Sequence, residues 1–135
     1  MLEPLHPWMR YVLWVAGAYN VLLGLNMVLL PSRSFAPLGL PEPELLLFVQ
    51  LVGLMVGVFG VGYLMVARRP LEHRGVLLLG LLGKSLVAVL GLTYVALGKV
   101  PPVYLFVVFF SDVIYLAPFV IILRHLQRVI DERAA

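Results

Sequence analysis

The stretch of sequence that decides the fold covers residues 45–67 and reads LLLFVQLVGLMVGVFGVGYLMVA. It contains no charged side chain, and Gln50 is its only amide. Gly53, Gly57 and Gly60 recur at helical spacing and give one face of a helix a seam of small residues. Because a helix rises about 1.5 Å per residue, a stretch of this length crosses a hydrocarbon core about 30 Å thick. It is therefore predicted to be a transmembrane helix.

Three more apolar stretches of similar length cover residues 8–30, 76–97 and 103–123. Prolines and glycines separate the four stretches, and the connections are so short that successive helices must run antiparallel. The sequence therefore predicts an all-α fold. We expect a polytopic membrane protein whose single domain, residues 1–135, is an up-and-down bundle of four transmembrane helices. The residues after 123 are expected to continue the fourth helix into water.

Composition favours a membrane protein over a water-soluble one. Of the 135 residues, 62% are hydrophobic and 13% are charged, and the mean hydropathy is +1.03. Soluble domains have about 45–50% apolar and about 25% charged residues. The absence of cysteine excludes disulfides and thiolate chemistry. The net charge of +3 comes from residues beside the spans, so the expected partner is the lipid bilayer and not nucleic acid.

The distribution of basic residues predicts the orientation in the membrane. One side of the predicted bundle holds Arg33 and Lys99, and the other side holds the remaining arginines. These are Arg10, Arg68, Arg69, Arg74, Arg124, Arg128 and Arg133. Positively charged segments next to spans stay in the cytoplasm. Both termini are therefore expected to be cytoplasmic, and the expected location is the inner membrane of a prokaryotic cell.

Polar side chains within the spans mark the candidate site, because they are costly in hydrocarbon and tend to face a partner or a cavity. Lys84 and Asp112 are the only base and acid well inside the spans, and each alone would cost at least about 2.5–3.5 kcal/mol. They are predicted to form a salt bridge or to share a proton, at the level of Asn20. The candidate binding cluster at the midplane comprises Asn20, Lys84, Ser85, Ser111, Asp112 and Tyr115. Asn26 and Gln50 are predicted to form a second polar pair nearer the outer surface.

The midplane cluster has two interpretations. One is a structural ion pair with amide partners that fixes the register of the helices, and the other is a polar pocket or proton-coupled site within the bundle. Gly24, Gly80 and Gly91 share helix faces with the polar residues and would let the helices pack closely around them. All three histidines lie outside the predicted spans, so no metal or haem site is predicted and no cofactor is indicated.

Polar and small residues across most of the chain follow the pattern of a known family. They are Tyr19, Asn20, Gly24, Gln50, Gly53, Gly60, Tyr63, Gly83, Lys84, Ser111 and Asp112. With these residues the chain resembles the small four-helix membrane proteins of the DoxX-like group, including its BphX-like members. The resemblance implies a four-helix fold. For some members of the group it implies a link to quinone-dependent sulfur oxidation or to degradative and redox genes, and it implies no catalytic residue.

Three functions are compatible with these observations. The first expectation is a non-catalytic accessory or assembly subunit that packs against another membrane protein, or a second copy, through glycine-lined helix faces. The second is a small-solute or proton-coupled transporter, or a ligand-binding bundle, with the midplane cluster as its site. The third is a subunit of a quinone-linked oxidoreductase whose redox centre lies in a partner. Enzymatic activity of the chain alone is not expected.

Overall fold

A computed structural model describes residues 2–135, and every regular element within them is helical. The four long helices are α1 at Pro7–Leu29, α2 at Leu46–Arg68, α3 at Arg74–Ala96 and α4 at Tyr104–Ala134. Each is long and apolar enough to cross a membrane. Their bounds agree closely with the predicted spans, and the fourth helix continues through the charged segment at its end, as predicted.

Proline and glycine set several of the helix ends. α1 begins at Pro7, where the fixed φ of proline suits the first turn and its missing N–H is not needed. The connection after α1 makes two short 3₁₀ turns, Pro31–Arg33 and Ala36–Leu38. The second turn ends at Gly39, whose φ of 67° is the left-handed conformation that favours glycine. The breakers identified in the sequence therefore do separate the first two helices.

Successive helices are antiparallel. Gly17 lies against Gly60, whereas Gly24, further along α1, lies against Gly53, which comes earlier on α2. α3 and α4 reverse in the same way, because Lys84 meets Ser111 whereas Gly91, further along α3, meets Val108 and Tyr104. Only residues 69–73 connect α2 to α3, so these two helices are antiparallel neighbours as well. The four long helices therefore fit the predicted four-helix bundle.

Both termini lie at the same end of the bundle. The backbone N–H of Leu2 donates to Glu132 Oε2 at 2.8 Å, and His125 Nε2 lies 2.8 Å from the carbonyl oxygen of Glu3. We call this the terminal end, and it also carries the α2–α3 connection. The opposite end, which we call the loop end, carries residues 30–45 and the α3–α4 connection.

Glycines bring α1 and α2 into the closest packing in the bundle. A Cβ placed on Gly24 would lie 2.7 Å from the backbone N of Gly57 and 2.8 Å from its Cα, closer than real Cβ atoms approach. A Cβ placed on Gly17 would similarly lie 2.9 Å from the carbonyl oxygen of Gly60. Small residues allow such backbone contact where side chains would hold helices apart. These glycines are thus used within the chain, between its own first two helices.

The hydrophobic core fills the terminal half of the bundle. Its members are Leu5, Met9, Leu13, Ala16, Tyr63, Val66, Ala67, Leu77, Tyr115, Phe119, Ile122 and Leu126. In the loop half, α3 packs on α4 where Gly91 meets Val108 and Tyr104, and α1 packs on α2 at Gly24. Cavities lie between these two helix pairs. The bundle is therefore closed towards the terminal end and hollow towards the loop end.

Candidate functional site

Lys84, near the middle of α3, is the centre of the polar site. Its side chain is only 6% exposed. Lys84 Nζ donates a hydrogen bond of 2.6 Å to the backbone carbonyl of Ser111, and it lies 3.6 Å from Asp112 Oδ1. The ring centroids of Tyr115 and Tyr63 lie 4.9 and 5.7 Å from the same nitrogen. The ammonium group is thus held by a carbonyl, a carboxylate and two aromatic rings, all of which attract a cation.

A π-helical turn in α4, Phe109–Val113, presents the partners of Lys84. In this turn the N–H of Ile114 donates to the carbonyl of Phe109, five residues earlier. Such a turn inserts one extra residue into a helix and occurs often at functional sites. Ser111 lies within it, and besides its carbonyl contact with Lys84 its hydroxyl forms a 2.7 Å hydrogen bond with the hydroxyl of Tyr19. The turn therefore links α4 to both α3 and α1 at one level.

Asn20 and Tyr63 are buried polar residues whose side chains lack a hydrogen-bond partner within residues 2–135, as is Tyr115, whose ring contacts Lys84. Asn20 is 6% exposed and Tyr63 is 1% exposed, and within residues 2–135 neither side chain makes a hydrogen bond. Buried polar groups are normally paired, because losing water without a replacement hydrogen bond is costly. No unpaired side-chain atom in the described part of the chain is sealed away, so both groups face open space. That space is a cavity that both residues line.

Two cavities meet at the polar site. The lateral cavity, of about 370 Å³, lies between α2 and α3. The central cavity, of about 460 Å³, lies inside the bundle below the connection that follows α1. Asn20, Lys84 and Asp112 line both of them. Each volume falls in the range of about 300–1,000 Å³ that is usual for small-molecule sites.

The structure brings together five of the six residues predicted for the midplane cluster. Asn20, Lys84, Ser111, Asp112 and Tyr115 lie around the π-helical turn and the two cavities. Ser85 is the exception, because its hydroxyl donates to the carbonyl of Leu81 on its own helix at 2.8 Å. A serine in a helix satisfies its hydroxyl in this way when no other partner faces it.

The second predicted polar pair has other neighbours. Gln50 Nε2 donates to the backbone carbonyl of Val28 at 3.0 Å. Asn26 is exposed and lines the central cavity near the loop end. Within residues 2–135 no hydrogen bond joins the two side chains. Gln50 therefore ties α2 to α1, and Asn26 belongs to the mouth of the cavity.

Sequence reasoning did not include Tyr63 and Tyr19 among the candidate site residues. Both are among the residues on which the resemblance to the DoxX-like group is based, but a tyrosine in a membrane helix is more often an ordinary packing residue. A phenol deep in an otherwise apolar span needs a hydrogen-bond partner for its hydroxyl. This requirement could have marked both tyrosines as candidate site residues. Tyr19 also precedes Asn20 directly in the chain.

Comparison of the chain with protein-family models, with curated proteins and with solved structures finds no match. Within residues 2–135, no cluster of three or more histidine, aspartate or glutamate side chains is arranged to hold a metal ion. The site instead offers a cation, a carboxylate, an amide and a phenol around a largely apolar cavity. These groups can donate and accept hydrogen bonds with a small molecule.

Proposed function

We propose that this chain is a multi-pass membrane protein that binds a small molecule at the polar site formed by Asn20, Tyr63, Lys84 and Asp112. A ligand-binding or transporting bundle is favoured over a purely structural one. The observation that carries the proposal is the unpartnered amide of Asn20, which is nine-tenths buried and faces a cavity. A residue kept only to fix helix register would instead be bonded to another helix.

The orientation in the membrane is part of this proposal. The terminal end carries most of the basic residues, so we place it in the cytoplasm, and we place the protein in a prokaryotic inner membrane. The packed core at the terminal end would then separate the site from the cytoplasm, and the cavities would lie in the outer half of the membrane. Such a site is accessible from one side only, as in a binding protein or in one state of a transporter.

The accessory-subunit hypothesis has less support from the contacts. It relies on exposed glycine faces, but Gly17, Gly24, Gly53 and Gly60 pack α1 against α2 in the same chain. The resemblance to the DoxX-like group agrees with either hypothesis. The cavity beside the buried ion pair supports the binding hypothesis. An accessory subunit would not need such a cavity.

The proposal predicts an unusual result for Asn20→Leu. The substitution breaks no hydrogen bond within the described chain, so the free energy of unfolding should change by less than about 0.5 kcal/mol or should increase. Binding, by contrast, should be lost. Native mass spectrometry of protein purified from its own membrane should detect a small molecule on the wild type and none on Asn20→Leu.

Asn26→Leu is the matched control, because Asn26 is the only other asparagine and is exposed. This variant should keep the bound molecule. The proposal is wrong if Asn20→Leu destabilises the protein by more than about 1 kcal/mol, or if it retains the same molecule as the wild type.

A further inference from the structure

The lateral cavity opens on the outer surface of the bundle between α2 and α3. Leu51, Val52, Met55 and Val87 line it, and they are between 46% and 60% exposed. α2 and α3 touch in the terminal half, where Tyr63 meets Gly80, and the cavity separates them beyond that point. In a bilayer, this opening would face lipid acyl chains and not water.

The connection after α1 lies over the other approach to the site. Ser34, Phe35, Pro37 and Leu38 line the loop end of the central cavity. Three of these four residues are apolar, so a polar solute arriving from water would have to pass an apolar cover. A molecule already dissolved in the bilayer meets no such cover at the lateral opening.

The charges of the site indicate what kind of head group it accepts. Lys84 and Asp112 lie 3.6 Å apart, so their formal charges cancel. A ligand with a charged head would add an uncompensated charge to a site with little water, which is strongly unfavourable. Asn20 and Tyr63, in contrast, offer free hydrogen-bonding groups to a neutral head.

We infer that the ligand is an uncharged amphipath that enters from the bilayer between α2 and α3. Its hydroxyl or carbonyl head hydrogen-bonds to Asn20 and Tyr63, and its apolar tail lies in the lateral cavity. The inference rests on the proposed function and specifies the class of ligand. The largely apolar lining and the lateral opening match the tail, and the unpartnered amide and phenol match the head.

Gly83 provides the test, because it lines the lateral cavity and a Cβ placed on it has no heavy atom within 4 Å. The Cβ of Gly83→Phe therefore meets no clash, and its ring is expected to occupy the opening. Gly75 lies on the same helix, has equally open surroundings and is not among the residues that line the lateral cavity, so Gly75→Phe is the matched control. The probe is a photoreactive analogue of dodecanol, added to the protein in lipid nanodiscs, with the matching dodecanoate and dodecylamine analogues for comparison.

The alcohol probe should label the walls of the lateral cavity, at Met55 and Val87, about tenfold more than the two charged probes. Gly83→Phe should reduce this labelling at least about fivefold, and Gly75→Phe should leave it unchanged. If Gly83→Phe does not fold, Leu51→Trp blocks the same opening from α2. Labelling that persists in the blocked variant, or that is equal for charged and uncharged probes, would overturn the inference.

Two outcomes distinguish a failure of this inference from a failure of the proposed function. If no alkyl probe labels the cavity while Asn20→Leu still loses a bound molecule, the ligand class and route are wrong and the binding site stands. If Asn20→Leu is destabilised by more than about 1 kcal/mol, or if it retains the same molecule as the wild type, the proposed function itself is wrong.

Discussion

Replacing Lys84 by methionine is expected to lower the free energy of unfolding by about 3–5 kcal/mol. Methionine fills a similar volume but removes the 2.6 Å hydrogen bond to the Ser111 carbonyl and the cation 3.6 Å from Asp112. The Asp112 carboxylate is then left largely buried without a cationic partner. A buried charge without a partner strongly destabilises the folded state. Reversible unfolding in mixed micelles at neutral pH measures the change.

Two further variants make this prediction specific. Lys99→Met changes the only other lysine, which is exposed, and should alter stability by less than about 0.5 kcal/mol. The double variant Lys84→Met with Asp112→Leu should recover most of the lost stability, because apolar residues can replace a buried ion pair at little cost. It should nevertheless lose the bound molecule. A single Lys84→Met variant as stable as the wild type would contradict the geometry described for the site.

The second large effect is expected at the contact between α1 and α2. Gly24→Ala should lower the free energy of unfolding by about 1–3 kcal/mol, because the new methyl group would lie 2.7 Å from the backbone N of Gly57. Backbone atoms cannot move aside as a flexible side chain does, so the two helices must separate. The change in the midpoint of thermal or detergent-induced unfolding measures this.

Gly57→Ala is the control on the opposite helix. A Cβ on Gly57 meets only the Cα of Gly24, at 4.0 Å, and alanine is favoured over glycine in a helix by about 1 kcal/mol. This variant should be as stable as the wild type or more stable. If Gly24→Ala and Gly57→Ala destabilised the protein equally, α1 and α2 would not approach each other as described.

The four helices were predictable because each feature that defines them is local. An apolar stretch such as residues 45–67, with proline or basic residues at its ends, has few alternatives to a long helix. The meeting of Lys84 with Asp112 was predictable for a similar reason. They are the only opposite charges deep in the spans, and antiparallel neighbours place them at one level.

The details of the site were not predictable, because they depend on how helices pack. The π-helical turn at Phe109–Val113 has no sequence pattern that distinguishes it from continuous α-helix. Whether Ser85 faces the cluster or bonds to its own helix depends on the rotation of α3. The cavities are spaces between helices, so no single residue encodes them, and the unpartnered state of Asn20 follows from them.

The most direct test of a binding site in the bundle is the electron density beside Asn20 in crystals of protein purified from its own membrane. We expect non-protein density within about 3.2 Å of the Asn20 amide and of the Tyr63 hydroxyl. The opposite result is an Asn20 amide bonded to protein atoms, with α2 and α3 closed together over an empty site. That result would contradict a ligand-binding function and would favour a structural ion pair.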